Sequence, residues 1–373
     1  MSWKDFVTKH EKTKPDFVEA SIIKSIQEKI DDSSKTKVSI SLSAGVDSTL
    51  VFRLLKQALP NVTIKALSVK FAESTDESKF AAKIAHKLDV DHDVLYLENY
   101  LSELPKAISI IKLPFWDLHW YHVVKKAKTV SKFLVSGDAG DEIFGGYTFR
   151  YQKFLSLTND NSLPIEKVKA YLQCHERDWA PDQERLFGSK IKFNWNKIYQ
   201  RLLPFFSNPL PPLSQVFLAD FNGKLLYNWV PLNTKFHDYF KVKPVTPILS
   251  KKLISYGTHL PIESKYDAQK NIGKLPLRKI LQKYKLEQFI VKQKQGFSVD
   301  TVNMWKSYGY ELCNYYLSDA RVVKNGWING EWISVHKRKD LDIRYVNKFL
   351  GILALEIWYR MFITREMKPE KHL

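Results

Sequence analysis

The stretch SLSAGVDSTL (41–50) stands between two different patterns of apolar residues. Before it, Val38, Ile40 and Leu42 alternate with polar residues, which is the period-2 pattern of a β-strand. After it, apolar side chains recur at positions 46, 50, 51, 54 and 55, which is the spacing of one helix face. The stretch is therefore predicted to be a turn that leads from a strand directly into a helix.

This turn gathers hydrogen-bond donors at the start of the predicted helix. The first backbone amides of a helix have no partner within it, and the positive end of the helix dipole lies beside them. The hydroxyls of Ser43, Ser48 and Thr49 add further donors, so the turn is typical of an anion-binding site. An ordinary helix cap, in which Ser43 or Asp47 only satisfies these amides, is the alternative that the stretch alone leaves open. A Walker-type loop is excluded, because each Gly-Lys pair is followed by leucine instead of Ser or Thr.

Length and composition limit the kind of protein. The 373 residues with 44% hydrophobic content are enough for one large domain or two ordinary ones. No run approaches the ~18 apolar residues of a membrane span, and the opening segment MSWKDFVTKHEKTKPDF has no apolar signal sequence. We therefore expect a cytoplasmic protein without a membrane partner. Cys174 and Cys313 lie far apart in the sequence and are expected to be buried packing residues rather than a disulfide or a zinc site.

The chain is strongly basic. Its 58 Lys and Arg residues against 40 Asp and Glu give a net charge of +18, which suits a nucleic acid or a phosphorylated ligand as partner. A lysine-rich codon usage would give the same charge, so the total by itself does not choose a partner. The basic segment at residues 264–294 is interpreted either as a solvated helix face or as a cationic lid over a phosphorylated intermediate.

The first third of the chain alternates between strand and helix patterns. Beyond the opening strand and helix, these patterns predict a strand at 62–71, a helix at 76–90, a strand at 92–97, helices at about 99–111 and 119–129, and a strand at 132–136. This alternation predicts an α/β fold with a doubly wound parallel sheet, in which ligands bind at the carboxyl ends of the strands. From about residue 150 the sequence becomes helical and aromatic-rich, with proline-punctuated loops at 203–215 and 243–250. We therefore expect a helical C-terminal layer packed on the sheet.

A second polar segment, VSGDAGDEIFGGYTFRY (135–151), begins in the last of these strands. Asp138, Asp141 and Glu142 place three carboxylates close together, and such like charges need a cation or a shared proton. Mg²⁺ bound together with nucleotide oxygens is a suitable counter-ion. A turn followed by a helix cap is the alternative, and Tyr147, Phe149 and Arg150 are interpreted as packing residues. Because parallel strands end at one edge of the sheet, we expect this segment to lie beside the turn at 41–50.

Five segments, in order, resemble the synthetase half of the asparagine synthetase family. SAGVDS (43–48) is similar to the SGGxDS loop of PP-loop ATP-pyrophosphatases, and SGDAGDEIFGGY (136–147) is similar to the second motif of asparagine synthetases. GKLPLRKIL (273–281), KQKQGFSV (292–299) and LALEIWYRMF (353–362) resemble three later segments of the family. The resemblance covers about residues 20–365 and implies an adenine nucleotide alpha hydrolase-like fold. It divides the chain into an N-terminal extension at 1–20, a nucleotide-binding core at 21–150 and the helical part of the same synthetase domain at 151–373.

The resemblance implies an ATP-dependent carbon–nitrogen ligase. A substrate carboxylate attacks the α-phosphorus of ATP, giving an acyl-adenylate and pyrophosphate, and a nitrogen nucleophile then displaces AMP to leave an amide. ATP and Mg²⁺ are the implied cofactors, with Asp47 and Asp141 as the metal ligands. The resemblance also implies, position by position, which residues bind the nucleotide: Ser43, Gly45 and Ser48 for pyrophosphate, and Leu42, Val69, Ser136 and Gly137 for adenosine. It implies that Lys274 stabilises the charge that develops on the phosphates, and that Asp138 accepts the proton of the attacking amine.

Three departures from the family pattern refine these expectations. Ala44 replaces the first glycine of the loop, which would cost on the order of 1 kcal/mol if that position needed a positive φ. The chain has only about twenty residues before the synthetase part and no glutaminase cysteine, so ammonia, a separate glutaminase subunit or an amine on the substrate is expected to supply the nitrogen. Lys243 and Val245 replace a Glu and an Arg of the family, which disfavours free aspartate. The neighbouring aromatic residues suit a bulkier carboxylate: Trp229, Phe236, Tyr239 and Phe240.

The preferred function is therefore an amide-forming ligase that acts on a small carboxylate other than aspartate. A stand-alone asparagine synthetase, a tRNA-modifying PP-loop ATP-pyrophosphatase and an inactive, ligand-binding relative are the alternatives. The net charge favours the tRNA enzyme, whereas the acidic second motif and the GKLPLR segment disfavour it, so nucleic acid is not the preferred partner. His119 and His122 have metal-like spacing without a third ligand, and His119 is interpreted as lining the pocket.

Overall fold

The computed structural model describes residues 1–72, 76–291 and 300–373. At its centre lies a five-stranded sheet. The strands lie in the order β3-β2-β1-β4-β5, and every neighbouring pair is parallel. Their bounds are β1 Lys37–Ser41, β2 Thr63–Phe71, β3 Asp91–Leu97, β4 Phe133–Val135 and β5 Lys243–Val245.

Helices make up most of the remaining described chain. In the first part they are α1 Pro15–Gln27, α2 Val46–Ala58, α3 Ser78–Lys87, α4 Leu104–Ile111, α5 His119–Lys128, α6 Gly140–Phe144, α7 Thr148–Leu157, α8 Pro164–Gln173 and α9 Gln183–Leu186. In the second part they are α10 Trp195–Phe206, α11 Pro212–Asp220, α12 Val230–Phe240, α13 Lys251–Thr258, α14 Leu275–Lys283, α15 Thr301–Met304, α16 Tyr310–Leu317, α17 Arg321–Lys324, α18 Gly330–His336 and α19 Ile343–Phe362. A π-helical segment, Phe221–Trp229, joins α11 to α12.

Both faces of the central strands are buried, each under its own layer of helices. Successive residues of β4 show this division, because Leu134 packs in the core that includes α4, α5 and α19, whereas Val135 packs in the core that includes α1 and α2. Side chains alternate between the two faces of a strand, so a strand that is buried on both sides reads as a nearly continuous apolar run. These layers confirm the predicted doubly wound α/β fold with a helical C-terminal layer.

The strand order explains where a ligand can bind. The chain runs from β1 outward to β3 and then returns to place β4 on the other side of β1. The connections after β1 and β4 therefore leave the sheet in opposite directions, and a crevice opens between them at the carboxyl ends of the strands. The segments 41–50 and 135–151 are these two connections, and their adjacency follows from the topology.

The sequence patterns miss the fifth strand. Residues 243–250 are predicted to be a loop, but Lys243–Val245 pair with β4: the Lys243 amide donates to the Lys132 carbonyl over 2.7 Å, and the Ser136 amide donates to the Val245 carbonyl over 3.0 Å. Pro244 has no amide to donate, which restricts such a strand to the edge of a sheet. Three residues with a central proline are too short to show a strand period, so the prediction is wrong there.

Two smaller expectations also have outcomes in the structure. The helix expected from about residue 99 begins at Leu104, after a turn. Cys313 is fully buried as expected, whereas Cys174 is only half-buried. In the described part of the chain, no helix is both long enough and apolar enough to cross a membrane.

Candidate active site

The turns after β1 and β4 pack directly against each other. A Cβ atom added to Gly137 would lie 2.7 Å from the backbone of Asp47 and Ser48, and one added to Gly140 would overlap the Asp47 carboxylate. Contacts this close leave room only for glycine. The two segments that the sequence singled out therefore form a single site.

Ser43 and Ser48 hold the first turn closed. The Ser48 hydroxyl donates to the Ser43 carbonyl over 2.8 Å, the Ser43 amide donates to the Ser48 hydroxyl over 3.2 Å, and the two hydroxyl oxygens are 2.9 Å apart. Gly45, the residue that precedes α2, has no side chain with which to cap the helix, and its amide donates to the Ser43 hydroxyl over 3.3 Å. The start of α2 also lines a cavity, which an ordinary helix cap does not require.

Lys274 lies between two carboxylates at the centre of the site. Its ammonium makes ion pairs with Asp47 and with Asp141, at 2.7 Å from Oδ1 of the latter. Burial alone would lower the pKa of Lys274, but the charges of Asp141 and Asp47 outweigh burial and hold this pKa above its ordinary value. The Lys274 amide also donates to the Phe144 carbonyl over 3.0 Å, which anchors the GKLPLR segment to the acidic loop.

The oxygen atoms around Lys274 suit a hard divalent cation. Asp47 Oδ2 and Asp141 Oδ1 both contact the same ammonium, so they are close enough for one cation to bridge them. Mg²⁺ is usually held by one or two carboxylates, with phosphate oxygens and waters as the other ligands. Within the described ranges, no group of three or more His, Cys, Asp or Glu side chains could hold a metal ion. The pair therefore fits a Mg²⁺ ion that is held jointly with a nucleotide.

Asp138 has the environment of a group that can exchange a proton near neutral pH. The Ser136 hydroxyl donates to Asp138 Oδ2 over 2.7 Å. Burial in the cavity wall raises the pKa of Asp138 to about 6, although hydrogen bonds from Ser136 and Trp229 oppose this rise. A carboxyl group with such a pKa is ionised at pH 7 and still basic enough to accept a proton.

Glu142 is the acidic residue of the second motif to which the sequence assigned no separate role. Burial and the nearby charge of Asp141 raise the pKa of Glu142 to about 8, so its carboxyl group is mostly protonated at pH 7. The Tyr147 hydroxyl donates to Glu142 Oε1 over 2.6 Å. This hydrogen bond fixes the Tyr147 ring in the wall of the cavity, although Tyr147 was predicted only to pack.

A cavity of about 790 Å³ connects these residues. Most of the predicted site residues line it, namely Ser43, Gly45, Asp47, Ser48, Ser136, Gly137, Asp138, Asp141 and Lys274. Leu42 and Val69 do not line it: Leu42 is fully buried, with its carbonyl accepting a hydrogen bond from the Ser68 hydroxyl at 2.6 Å, and Val69 is half-buried in β2. Nine of the eleven predicted site residues therefore line one cavity, and two of the four residues predicted to bind adenosine lie outside its wall.

The residues expected to shape an acceptor pocket are only partly in place. His119 and Trp229 line the cavity as predicted. Lys243 is exposed, with its ammonium 5.6 Å from the centre of the Phe133 ring, and Val245 is buried in the core. The other predicted aromatic residues lie in the helical layer away from the cavity wall: Phe236, Tyr239 and Phe240.

The spacing of His119 and His122 does not reflect a metal site. His122 Nε2 lies 3.1 Å from the Tyr100 carbonyl in the protein interior, and burial lowers the pKa of His122. His119 stands at the start of α5 and contacts Phe71 edge to face, with ring centres 6.0 Å apart. The two side chains therefore contact different residues, and they do not form a common metal site.

Different residues of the basic segment at 264–294 agree with each of its two interpretations. Lys274 and Arg278 line the cavity, whereas the exposed Lys283 ammonium makes a 2.9 Å ion pair with the largely buried Glu19 carboxylate. Lys265 is 1% exposed and donates to the Gly257 carbonyl over 3.1 Å. Residues 292–294 lie outside the described residues, as does the whole family-like segment KQKQGFSV at 292–299.

The strained alanine of the site is Ala139, and Ala44 does not share its conformation. Ala139 has a φ of 76°, in the left-handed region, and stands where the family motif has glycine. Ala44 is not among the described residues with positive φ, so the cost considered for it does not arise. Sequence alone could not separate the two positions, because the φ angle depends on how each turn is packed.

Ala139→Gly is expected to raise the free energy of unfolding by about 0.5–1 kcal/mol. Glycine removes the left-handed strain of roughly 1–2 kcal/mol, and its greater freedom in the unfolded chain offsets part of this gain. Ala44→Gly is the matched control and is expected to lower the free energy of unfolding by a similar amount. Urea denaturation of both variants measures the two changes, and a shift of the same sign in both would contradict the assignment of the strain.

Comparisons with known proteins agree with the motifs. The family model of asparagine synthase matches residues 19–360. The chain is 24% identical over 397 residues to asparagine synthetase [glutamine-hydrolyzing] 1 of Bacillus subtilis, which covers 95% of this chain and 61% of that protein. It is 29% identical over 119 residues to the putative asparagine synthetase [glutamine-hydrolyzing] 2 of Methanocaldococcus jannaschii, covering 31% of this chain and 23% of that one. The chain thus spans less than two thirds of the length of these curated relatives.

Among solved structures, an NH3-dependent NAD synthetase from Campylobacter jejuni overlaps 53% of this chain and 98% of its own, with 17% identity and a TM-score of 0.26. That TM-score is too low to support a conclusion. The family assignment therefore rests on the match of the family model to residues 19–360. The protein belongs to the asparagine synthase family.

Proposed function

We propose that this protein is an ATP-dependent ligase that joins a nitrogen nucleophile to a substrate carboxylate, with release of pyrophosphate and AMP. The observation that most directly supports this proposal is the convergence of Asp47, Asp141 and Lys274 at the carboxyl ends of β1 and β4. Two carboxylates and an ammonium in a partly buried crevice suit a triphosphate and its divalent cation. The turn at Ser43–Ser48 supplies helix-start amides for the phosphate oxygens.

In the first step, an oxygen of the acceptor carboxylate attacks the α-phosphorus of ATP. The bond between the α-phosphorus and the bridging oxygen breaks, pyrophosphate leaves, and an acyl-adenylate remains. Mg²⁺ bound with ATP by Asp47 and Asp141 would neutralise phosphate charge. Lys274 stabilises the negative charge that grows on the phosphates, a contribution that is large where water is scarce.

In the second step, the nitrogen attacks the carbonyl carbon of the acyl-adenylate. The carbon–oxygen bond to AMP breaks, and the excess proton of the nitrogen passes to a carboxylate oxygen of Asp138. The pKa of Asp138, raised to about 6 by burial, suits this role because the group is both ionised and basic at pH 7. The nitrogen is proposed to come from ammonia, supplied free or by a separate glutaminase subunit.

The acceptor is proposed to be a carboxylate other than free aspartate. The cavity has a volume of about 790 Å³, and Trp229 contributes an aromatic wall beside Asp138. Apolar and aromatic walls with a few polar groups are typical of sites for larger ligands.

The nucleotide products test the proposal. With Mg²⁺ and a panel of carboxylic acids that includes aspartate, the protein is expected to convert ATP to AMP and pyrophosphate, and ¹⁵N-labelled ammonium is expected to appear in an amide product. Chromatography of the nucleotides and mass spectrometry of the acids measure both results. ADP and phosphate as the products would contradict the ligase mechanism. A response to aspartate alone would instead identify an asparagine synthetase.

A further inference from the structure

Lys265 is a fully buried lysine that stands outside the cavity. Its side chain is 1% exposed and does not line the cavity. Burial lowers the pKa of Lys265 to about 7, and the charge of the exposed Glu263 opposes this fall only in part. Lysine is almost never fully buried without a partner, because an ammonium is costly to remove from water. An apolar side chain would avoid this cost, so we expect the ammonium to have a role of its own.

The ammonium of Lys265 contacts two helices, α11 and α13. Its Nζ donates to the Gly257 carbonyl over 3.1 Å, in the last turn of α13, and lies 4.6 Å from the centre of the Phe217 ring on α11. The carbonyl end of a helix attracts a cation, and so does the face of an aromatic ring. The ammonium therefore links α13 to α11.

The two residues that Lys265 contacts pack against the end of α6, the helix that carries Asp141. A Cβ atom added to Gly257 would overlap Ile143 in α6. A Cβ atom added to Gly145, the residue that follows α6, would lie 2.9 Å from the Phe217 ring. The side chain of Lys265 therefore reaches the end of α6 through both of its neighbours.

The backbone of Lys265 holds the start of α14, where Lys274 lies. The Leu275 amide donates to the Lys265 carbonyl over 3.1 Å, and the Lys274 amide donates to the Phe144 carbonyl over 3.0 Å. Lys274 precedes α14 with a φ of 58°, in the left-handed region. A residue other than glycine keeps this conformation only where the surrounding contacts hold it. The hydrogen bonds on either side of this strained position are such contacts.

We propose that Lys265 is a positioning residue for adenylation, which fixes the start of α14 against the end of α6 and so keeps Lys274 between Asp47 and Asp141. This inference rests on the proposed ligase function and adds a residue to its first step. The ammonium secures Lys265 to α11 and α13, and the carbonyl of Lys265 binds the backbone beside Lys274. Because Lys265 does not line the cavity, it acts on the reaction through Lys274.

Lys265→Met removes the ammonium and keeps an unbranched side chain of similar size. The single-turnover rate of pyrophosphate release is expected to fall roughly 10- to 10²-fold, because a small displacement of a catalytic group is costly. In the Lys274→Ala protein, the same substitution is expected to change the rate less than about twofold, because no ammonium is left to position. The unaltered protein, both single variants and the double variant are compared with radiolabelled ATP.

Lys167→Met is the matched control. Lys167 is also a buried lysine, 7% exposed on α8, and it does not line the cavity. Its variant is expected to keep the unaltered rate. Lys265→Gln keeps an N–H donor for the Gly257 carbonyl and is expected to retain more of the rate than Lys265→Met. The glutamine variant also provides a second result if the methionine variant does not fold.

Hydrogen exchange gives a measurement that does not depend on the reaction. The backbone amides of Lys274 and Leu275 are expected to exchange faster in Lys265→Met, because their hydrogen bonds need the start of α14 in place. The amides of α2 are expected to keep their protection in the same protein, and Lys167→Met is expected to leave both regions unchanged. Mass spectrometry of the peptides that cover these residues measures the exchange.

Three results would overturn the inference. The first is an unaltered rate of pyrophosphate release in Lys265→Met. The second is a fall in rate that is equally large with and without Lys274, as a purely structural role would give. The third is unchanged exchange at Lys274 and Leu275. Failure of the ligase proposal is distinguishable, because it appears in the unaltered protein as formation of ADP, and the exchange measurement then still tests the positioning.

Discussion

Lys274→Ala is expected to lower the rate of pyrophosphate release roughly 10³-fold, with little change in the affinity for ATP. In the structure the Lys274 ammonium is balanced by Asp47 and Asp141. Negative charge increases on the phosphates while the carboxylate attacks. An ammonium in this position therefore stabilises the transition state more than it stabilises bound ATP. An interaction that strengthens mainly in the transition state affects turnover more than ground-state binding.

Single-turnover measurement of pyrophosphate, together with binding of a fluorescent ATP analogue, tests this expectation. Lys279→Ala is the matched control, because Lys279 is an exposed lysine on the same helix, α14, and does not line the cavity. The control is expected to retain the unaltered rate. A Lys274→Ala protein that loses ATP affinity as strongly as it loses rate would show that Lys274 serves binding rather than catalysis.

Asp138→Asn is expected to separate the two chemical steps. Asparagine keeps the size of the side chain but cannot accept a proton, so pyrophosphate is still released while amide formation falls by ~10²-fold or more. If Asp138 only stabilised the turn that precedes α6, its loss would cost about 1 kcal/mol of stability and leave the amide yield unchanged. Pyrophosphate and amide are measured in the same preparation, and its melting temperature is recorded beside them.

The pH dependence gives a second readout for Asp138. Burial raises the pKa of this carboxyl group to about 6, and the ionised form is the base. The rate of amide formation in the unaltered protein is therefore expected to fall as the pH is lowered through about 6 and to level off above it. Asp138→Asn is expected to lose this dependence. A profile with the same midpoint in both proteins would assign the base to another group.

The site was predictable from the sequence to the extent that its parts are contiguous. SAGVDS and SGDAGDEIFGGY are each one contiguous segment that follows a strand, and the strands before them carry the apolar patterns that identify them. Once these strands are placed in a parallel sheet, the two turns must share an edge. The same reasoning failed for β5, where three residues around Pro244 show no period.

Other features depend on contacts that no local pattern reports. Ala139 and Ala44 look alike in the sequence, and only the turn geometry shows that Ala139 has the left-handed conformation. Arg150 and Lys224 are separated by more than seventy residues and meet through the Tyr147 ring. Tyr147, Phe149 and Arg150 were therefore predicted only to pack, although all three line the cavity.

The sequence by itself determined the alternation of strands and helices, the family and the two polar turns, because these features depend on residue spacing and on the local preferences of the backbone. Only the tertiary structure decided that Lys274 lies between Asp47 and Asp141, across 227 residues of chain from Asp47. It also decided that burial raises the pKa of Asp138 and Glu142. Burial and charge pairing depend on which distant segments exclude water from a side chain, and that arrangement exists only after the helical layer has packed against the sheet.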